Sequence, residues 1–581
     1  MRWTTTIIVA AALVAAACSS KKKPEKHQAA AAPPAPVQQQ TRDEEFTAYA
    51  NEVYDAWLEA NPTSAAGMGY HQFDGVLPDY SPKALEARAA QLKEQKARLE
   101  SFAGTLSSER DLERQVLLTD VRSTLFGTYE LRQPQRNPMF YPVTLLDYIS
   151  RDYAPIDQRA RGLITLCNAA PAYFEQAMAN LEEALPRTWI ETALLQTRGA
   201  IQFAKEDVPP ALKGASPEVA KKLGPALAKY EAALGKYADF LDERKAKQTE
   251  DFALGPEKFR AMLREEEGVD VDLDHLREIG EKDLARNLAA LDQAAKQIDP
   301  NKTATQVVDM VRADRPEKDQ LLALAGEQAT AMRKFLVDHH IVSIPTDDVA
   351  EPRLSPPFER WNFAFMSAPG QFEKKKLPSF YYISPPDPKW SKKVQEEYIP
   401  SRYDLEFVTI HELWPGHFLH HLHIKVNPSK ILRSFCTYST SEGWAHYTEE
   451  MMWNAGVGNG DPKTHIGELQ NALLRDVRFL VALGMHTRGM TVDEAKKMFI
   501  DKGFQDEGNA MQQAVRGTFD PGYLNYTLGK LMIRKLRDDW KAKVGDRYGL
   551  QAFHDEFLSH ACAPIPVIRK QMLGPSAGPP L

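Results

Sequence analysis

The chain has 581 residues, 43% of them apolar and 26% charged, and a net charge of -7. Such values describe a globular chain rather than a disordered one, at a length that exceeds what one hydrophobic core covers. They give no nucleic-acid partner, because no sustained basic face offsets the acidic balance.

The first residues read as a targeting segment. Arg2 supplies a positive start, and Ile7 to Ala17 is an apolar run well short of the roughly 20 residues that span a bilayer. Ala15-Ala16-Ala17-Cys18 places small residues ahead of a cysteine. That resembles a bacterial lipoprotein cleavage site with Cys18 as the lipidated residue; a plain secretory signal is the alternative. The reading is a signal peptide over 1–17 and a disordered tether over 18–43, rich in Lys, Ala, Pro and Gln. Ser19-Ser20, with no aspartate behind the cysteine, favours the outer membrane of a Gram-negative cell, facing the periplasm. The lipid is then the only membrane contact. Cys167, Cys436 and Cys562 remain, enough for one bridge whose partners the sequence does not fix.

An N-terminal helical region is expected over 44–340. Phe46, Tyr49, Val53 and Trp57 recur at helical spacing within Glu45–Glu59, and Asn61-Pro62 stops that helix. Long helices follow over Ser81–Ser107 and Ser108–Glu130, then Gln158–Cys167, Pro171–Leu185, Thr188–Ala204, Val219–Glu243, Lys258–Glu266 and Leu273–Lys296, with Pro171 and Pro186 as breaks. Thr303–Val311 and Lys318–Val337 close the array. A catalytic region is expected over 341–581. It opens on loops and short strands rich in Pro and aromatics, among which Phe380–Ser384 is the best strand and a candidate cleft rim. Helices return over Thr464–Thr487, Thr491–Asp501, Tyr526–Lys543 and Leu550–Ser559, and the tail from Met572 frays. The fold class is therefore mainly α, with a small β-sheet.

Five of the 15 histidines lie between positions 411 and 423. His411-Glu412 begins like a zinc-hydrolase signature, an imidazole ligand beside a carboxylate that activates the metal-bound water. The second histidine of that signature belongs at i+4, where this chain has Pro415. His417 comes at i+6, roughly 120° away on a regular helix, and Pro415 would clash with the His411 carbonyl. Pairing His411 with His417 therefore requires the helix to break at Pro415-Gly416. The helix-compatible pairs His417/His421 and His420/His423 are rivals without an adjacent glutamate. The residues alone leave a metal site, a buried polar network and chance enrichment open.

His-Glu-x-x-Pro-Gly-His, followed about 25 residues later by Glu442-Gly443-Trp444-Ala445, resembles the bacterial DUF885 family. The resemblance covers nearly the whole chain after the tether. It implies a large helical, zincin-like (gluzincin-type) metallopeptidase fold, with Zn2+ held by His411, His417 and Glu442 and with Glu412 as general base. By the same resemblance Tyr526, four residues into Tyr523–Gly529, donates to the developing oxyanion, and Arg516 pairs with a peptide carboxylate. His446, on the face of Glu442, orients a ligand or binds substrate. His486 falls in a family segment with Arg478 and Gly484, although Ala482 stands where an aspartate is usual, and Gly517 replaces the tyrosine usual beside Arg516. Glu449 and Glu450 could hold the free ring nitrogens of the ligand histidines.

The implied activity is hydrolysis of short peptides by metal-activated water. A non-peptidase zinc hydrolase acting on esters or amides would use the same centre. A silent, envelope-anchored binding protein would use the histidines structurally.

Overall fold

A computed structural model describes residues 37–141, 143–356, 360 and 363–581. The signal peptide, Cys18 and the first part of the tether lie outside the described residues.

The chain is mainly helical, with one three-stranded sheet. Its first helix is Val37–Ala60, so residues 37–43 are not tether but the opening turns of a helix. Arg42 pairs with Glu45, and Asp43 accepts the Ser107 N–H at 2.9 Å, which ties these turns to the next hairpin. Ser81 and Ser107 cap the helices Pro82–Ser101 and Ser108–Leu125, each side chain accepting a first-turn N–H. The expected break at Pro171 does not occur: Ile156–Asn180 is one helix. Its buried face runs through Leu163, Leu166, Cys167, Ala170, Phe174 and Ala177 on both sides of the proline. That continuous packing outweighs the one hydrogen bond proline removes. Pro186 does cap the following helix, Arg187–Glu206.

Packing divides the chain differently from the expected boundary at 340. Residues between Tyr141 and Leu241 form one core, chiefly from the helices Ile156–Asn180, Arg187–Glu206 and Pro217–Arg244. Everything else shares a second core that runs from Phe46 to Met572, crossing position 340 without interruption.

The sheet has the order β1-β3-β2, with β1 (Ala350–Leu354) parallel and β2 (Ala364–Ser367) antiparallel to β3 (Ser379–Ile383). All five residues of β3 are buried, whereas β2 is an edge. Behind the sheet, the helices Leu273–Ile298, Arg402–Glu412, Tyr438–Asn454, Pro462–Thr487 and Asn525–Val544 pack into the body of the larger core. The Tyr438–Asn454 and Asn525–Val544 helices cross at Gly443 on Gly529. A Cβ on either glycine would collide with the opposing backbone. That close approach sets Tyr526 beside the turn that carries Glu442.

Cys436 and Cys562 form a disulfide with Cα atoms 4.6 Å apart, while Cys167 is free and buried. The tail is tied rather than frayed: Met572 is buried within the helix Ile565–Leu573, and Arg569 Nε donates to the Gly578 carbonyl at 2.8 Å.

Candidate metal centre

The helix Arg402–Glu412 stops at Glu412, and a new helix, His417–Val426, begins after Gly416. Between them the Trp414–Pro415 peptide is cis, and the Gly416 N–H donates to the Ile410 carbonyl at 3.0 Å. Any side chain at 416 would run into the His411 carbonyl, so the turn closes only on glycine. Trp444 locks it from the neighbouring helix, its Nε1–H donating to the Pro415 carbonyl at 2.9 Å. The two motifs are thus one mechanical unit: the tryptophan of the second holds the break of the first.

The break brings His411 and His417 together, ring centroids 4.7 Å apart and nearly perpendicular. Glu442 Oε2 lies 3.3 Å from His411 Nε2 and 3.2 Å from His417 Nε2. Neither separation has hydrogen-bond geometry, so this buried oxygen has no hydrogen-bond partner. Two ligands at tetrahedral positions on zinc, each about 2.0–2.1 Å from it, sit about 3.3 Å apart. An oxygen and two nitrogens converging at that spacing, without hydrogen bonds among them, fit a cation. Burial opposes a charge on His411, but Glu442 and Glu449 outweigh it and raise its pKa to about 9. Glu442 in turn is held well below the usual carboxylate range, the two histidines overcoming its burial. The carboxylates call for a positive charge here, and a proton or a metal ion supplies one.

Glu412 also approaches, its ligand-type oxygen within 4.8 Å of those of His411 and His417. Its Oε2 accepts the Met366 N–H of β2 at 2.9 Å. Glu442 Oε2, 3.3 and 3.2 Å from the two nitrogens and without a hydrogen bond, is freer than Glu412 to serve as a third ligand.

Behind the centre, Glu449 is fully buried and accepts from His411 Nδ1 at 2.6 Å, fixing the ring so that Nε2 faces Glu442. Burial would raise the pKa of Glu449, but Arg475, at 3.4 Å, and His446 and His411 hold it far below the ordinary range. Glu450 takes no part; it pairs with Arg286 and Arg534 instead.

The other expected residues divide. Tyr526 is in place, its ring 6.2 Å from that of His411 and nearly parallel to it. His446 is fully buried and faces Glu449 at 3.3 Å rather than the imidazole pair, which makes it a support and not a substrate contact. His486 is not brought to the centre. It lies between Phe252 and Phe259, and its Nε2 donates to the Gly517 carbonyl at 2.7 Å. Arg516 is near Tyr526 but engaged, pairing with Asp520 at 2.8 Å and donating to the Tyr438 hydroxyl at 2.8 Å. The rival histidines hold structure: His420 donates to the Ala561 carbonyl, His423 to that of Ser343, and His421 bonds Gln371. Sequence reasoning missed Arg475 as the partner of Glu449 and Trp444 as the lock on Pro415. Arg475 sits one turn before Arg478 on the same helix, a spacing that could have suggested a shared face.

A family model described as a bacterial protein of unknown function, DUF885, matches residues 62–572. The chain belongs to the DUF885 family. No curated protein matches it. Among solved structures, one from Shewanella oneidensis, described as a "putative lipoprotein of unknown function", is similar at 23% identity. It aligns with a TM-score of 0.75 over 91% of this chain and 99% of its own. Another, "the putative lipoprotein from Colwellia psychrerythraea", is 19% identical with a TM-score of 0.72, over 91% of this chain and 98% of its own. These likenesses show that the fold is shared over 91% of the chain.

Proposed function

We propose that this DUF885 chain is a zinc-dependent peptidase of the glutamate zincin type, hydrolysing short peptides with a metal-activated water. Glu442 Oε2 carries the reading: it is buried, lacks a hydrogen bond and lies 3.3 and 3.2 Å from two imidazole nitrogens. Zinc held by His411, His417 and Glu442 would polarise the scissile carbonyl and acidify a bound water. Glu412 takes the proton of the attacking water and returns it to the leaving amine. The Met366 N–H bond steadies its carboxylate for both transfers. Burial, then Glu442, raises the pKa of Tyr526, keeping the phenol protonated as a donor to the oxyanion. Met366 belongs to an edge strand, so an extended peptide pairing with β2 would pass the base. Peptides thus suit the site better than compact esters.

The lipoprotein descriptions of the Shewanella and Colwellia proteins support an envelope location, with anchoring through Cys18. No helix among the described residues is long and apolar enough to cross a membrane.

Protein purified without a histidine tag, alongside Glu412→Gln, tests the proposal. Both should carry one zinc per chain, and turnover of a peptide mixture should fall about 10²–10⁴-fold in the variant. Absence of zinc with unchanged stability in chelator, or unchanged turnover by Glu412→Gln, would overturn it. Cleavage of esters without cleavage of peptides would move the chain to another class of hydrolase.

A further inference from the structure

Three guanidinium groups crowd the ring of Tyr526. The Cζ atoms of Arg478, Arg475 and Arg516 lie 4.9, 5.9 and 6.0 Å from its centroid. Their charges are not equally answered. Arg475 pairs with Glu449 and Arg516 with Asp520. Arg478 is only 7% exposed and has no carboxylate partner among the described residues. Its Nε donates to Gln513 Oε1 at 2.9 Å. The two Nη nitrogens, the prongs of the fork, make no hydrogen bond among the described residues. Burial, with Arg516 and Arg475 nearby, pushes its pKa down to about 10. A largely buried cation whose fork meets solvent rather than a carboxylate is open to an anion brought by a ligand.

The position of Arg478 identifies that anion. The ring it packs on also stacks beside His411, so the unanswered guanidinium and the metal pair share one aromatic wall. An extended peptide advances about 3.3–3.6 Å per residue. A carboxylate one or two residues past the scissile bond therefore reaches the scale of that ring. A planar fork with both prongs free matches a carboxylate in two parallel hydrogen bonds.

We infer that Arg478 receives the free C-terminal carboxylate of the substrate, so that the enzyme trims one or two residues from the carboxyl end of peptides. The inference rests on the peptidase reading and adds its direction. The water oxygen ends on the newly exposed carboxylate, and the released amino acid or dipeptide leaves with the proton carried by Glu412. Arg516 suits the role less well, because its charge is answered by Asp520 and its Nη2 is shared between Asp520 and the Tyr438 hydroxyl.

The test is calorimetry on zinc-loaded Glu412→Gln protein with an N-acylated tripeptide and with its C-terminal amide. The free carboxylate should bind at least about 10-fold tighter, as a lost charge-assisted pair requires. Adding Arg478→Gln should erase that preference, and Arg478→Lys should keep part of it. Equal affinity for the two peptides, no binding of the free peptide at millimolar concentration, or a preference that survives Arg478→Gln would overturn the inference. Each of these readouts is independent of turnover. Turnover of the same peptides by the unmodified enzyme is read separately by mass spectrometry. No cleavage of either would overturn the peptidase reading alone, and internal cleavage of the amide as fast as the free peptide would overturn the carboxyl-end assignment.

Discussion

Between Tyr141 and Leu241 the buried polar groups are chiefly hydroxyls ending on backbone carbonyls, and the one buried charge among the described residues, Arg159, likewise donates to the Ala154 and Tyr148 carbonyls. Tyr141 donates to Pro134, Tyr230 to Val143 and Tyr237 to Pro138. Around His411 they are whole charges: Glu449 and Lys530 are fully buried, and Arg475 is 7% exposed. The first core is held by shape and apolar area, and its hydroxyls are satisfied locally. The second contains ion pairs whose desolvation cancels much of their attraction, so stability does not explain them. What they do achieve is aim, since Arg475 holds Glu449, Glu449 holds His411, and His411 faces Glu442.

The contrast breaks first at single positions. Gly416→Ala pushes a methyl into the His411 carbonyl and should abolish metal binding, with turnover down by more than about 10³-fold. Leu163→Ala in the other core should instead cost about 2–5 kcal/mol in chemical denaturation and leave turnover per folded molecule unchanged. Loss of activity in the second variant at full folding would sink the division. A smaller effect is expected from Glu449→Gln, which keeps the shape but not the charge behind His411. Zinc affinity measured against a competing chelator should drop about 10–100-fold, with the melting temperature of the Tyr141–Leu241 core unmoved.

Acid sharpens the comparison further. His554 and His486 are buried and held neutral, with pKa pushed by burial down to about 3 and about 4. Unfolded histidine titrates near 6.5. Below that pH the unfolded chain binds protons that the folded one refuses, so their contribution is complete above about 6.5 and is lost as pH falls toward about 4. No histidine lies between 141 and 241. Hydrogen exchange at pH 7 and pH 5 should show protection declining over 550–559, the helix of His554, but not over 156–244; a uniform decline would contradict this.

Legibility followed the range of the interaction. The break at Pro415-Gly416 was readable because i+6 spacing and proline chemistry are local facts. Glu442 was readable only through the paired motif, since nothing in 25 residues of intervening sequence says that the next helix turns back. Arg475 was missed because its meaning lies in Glu449, on a different helix. His486 was misplaced for the same reason: its partner is a backbone carbonyl, and a carbonyl leaves no mark in sequence. Pro171 reads as a break on propensity alone, and the packed face that overrides it exists only in the folded chain. Most of the helices are legible because amphipathic spacing is written in adjacent residues, whereas the caps at Ser81 and Ser107 emerge only in the structure.

Residues 561–563 touch both helices that follow the break. His420 donates to the Ala561 carbonyl, Thr440 to that of Ala563, the Thr437 N–H to that of Cys562, and Cys562 is bonded to Cys436. The chain is synthesised from its N-terminus, so the brace through Cys562 becomes possible only 126 residues after Cys436. A growing chain carries its histidines and Glu442 long before it carries the brace that steadies them. Order of synthesis thus acts as a safety catch, completing the frame of the centre well after its histidines and Glu442 have emerged.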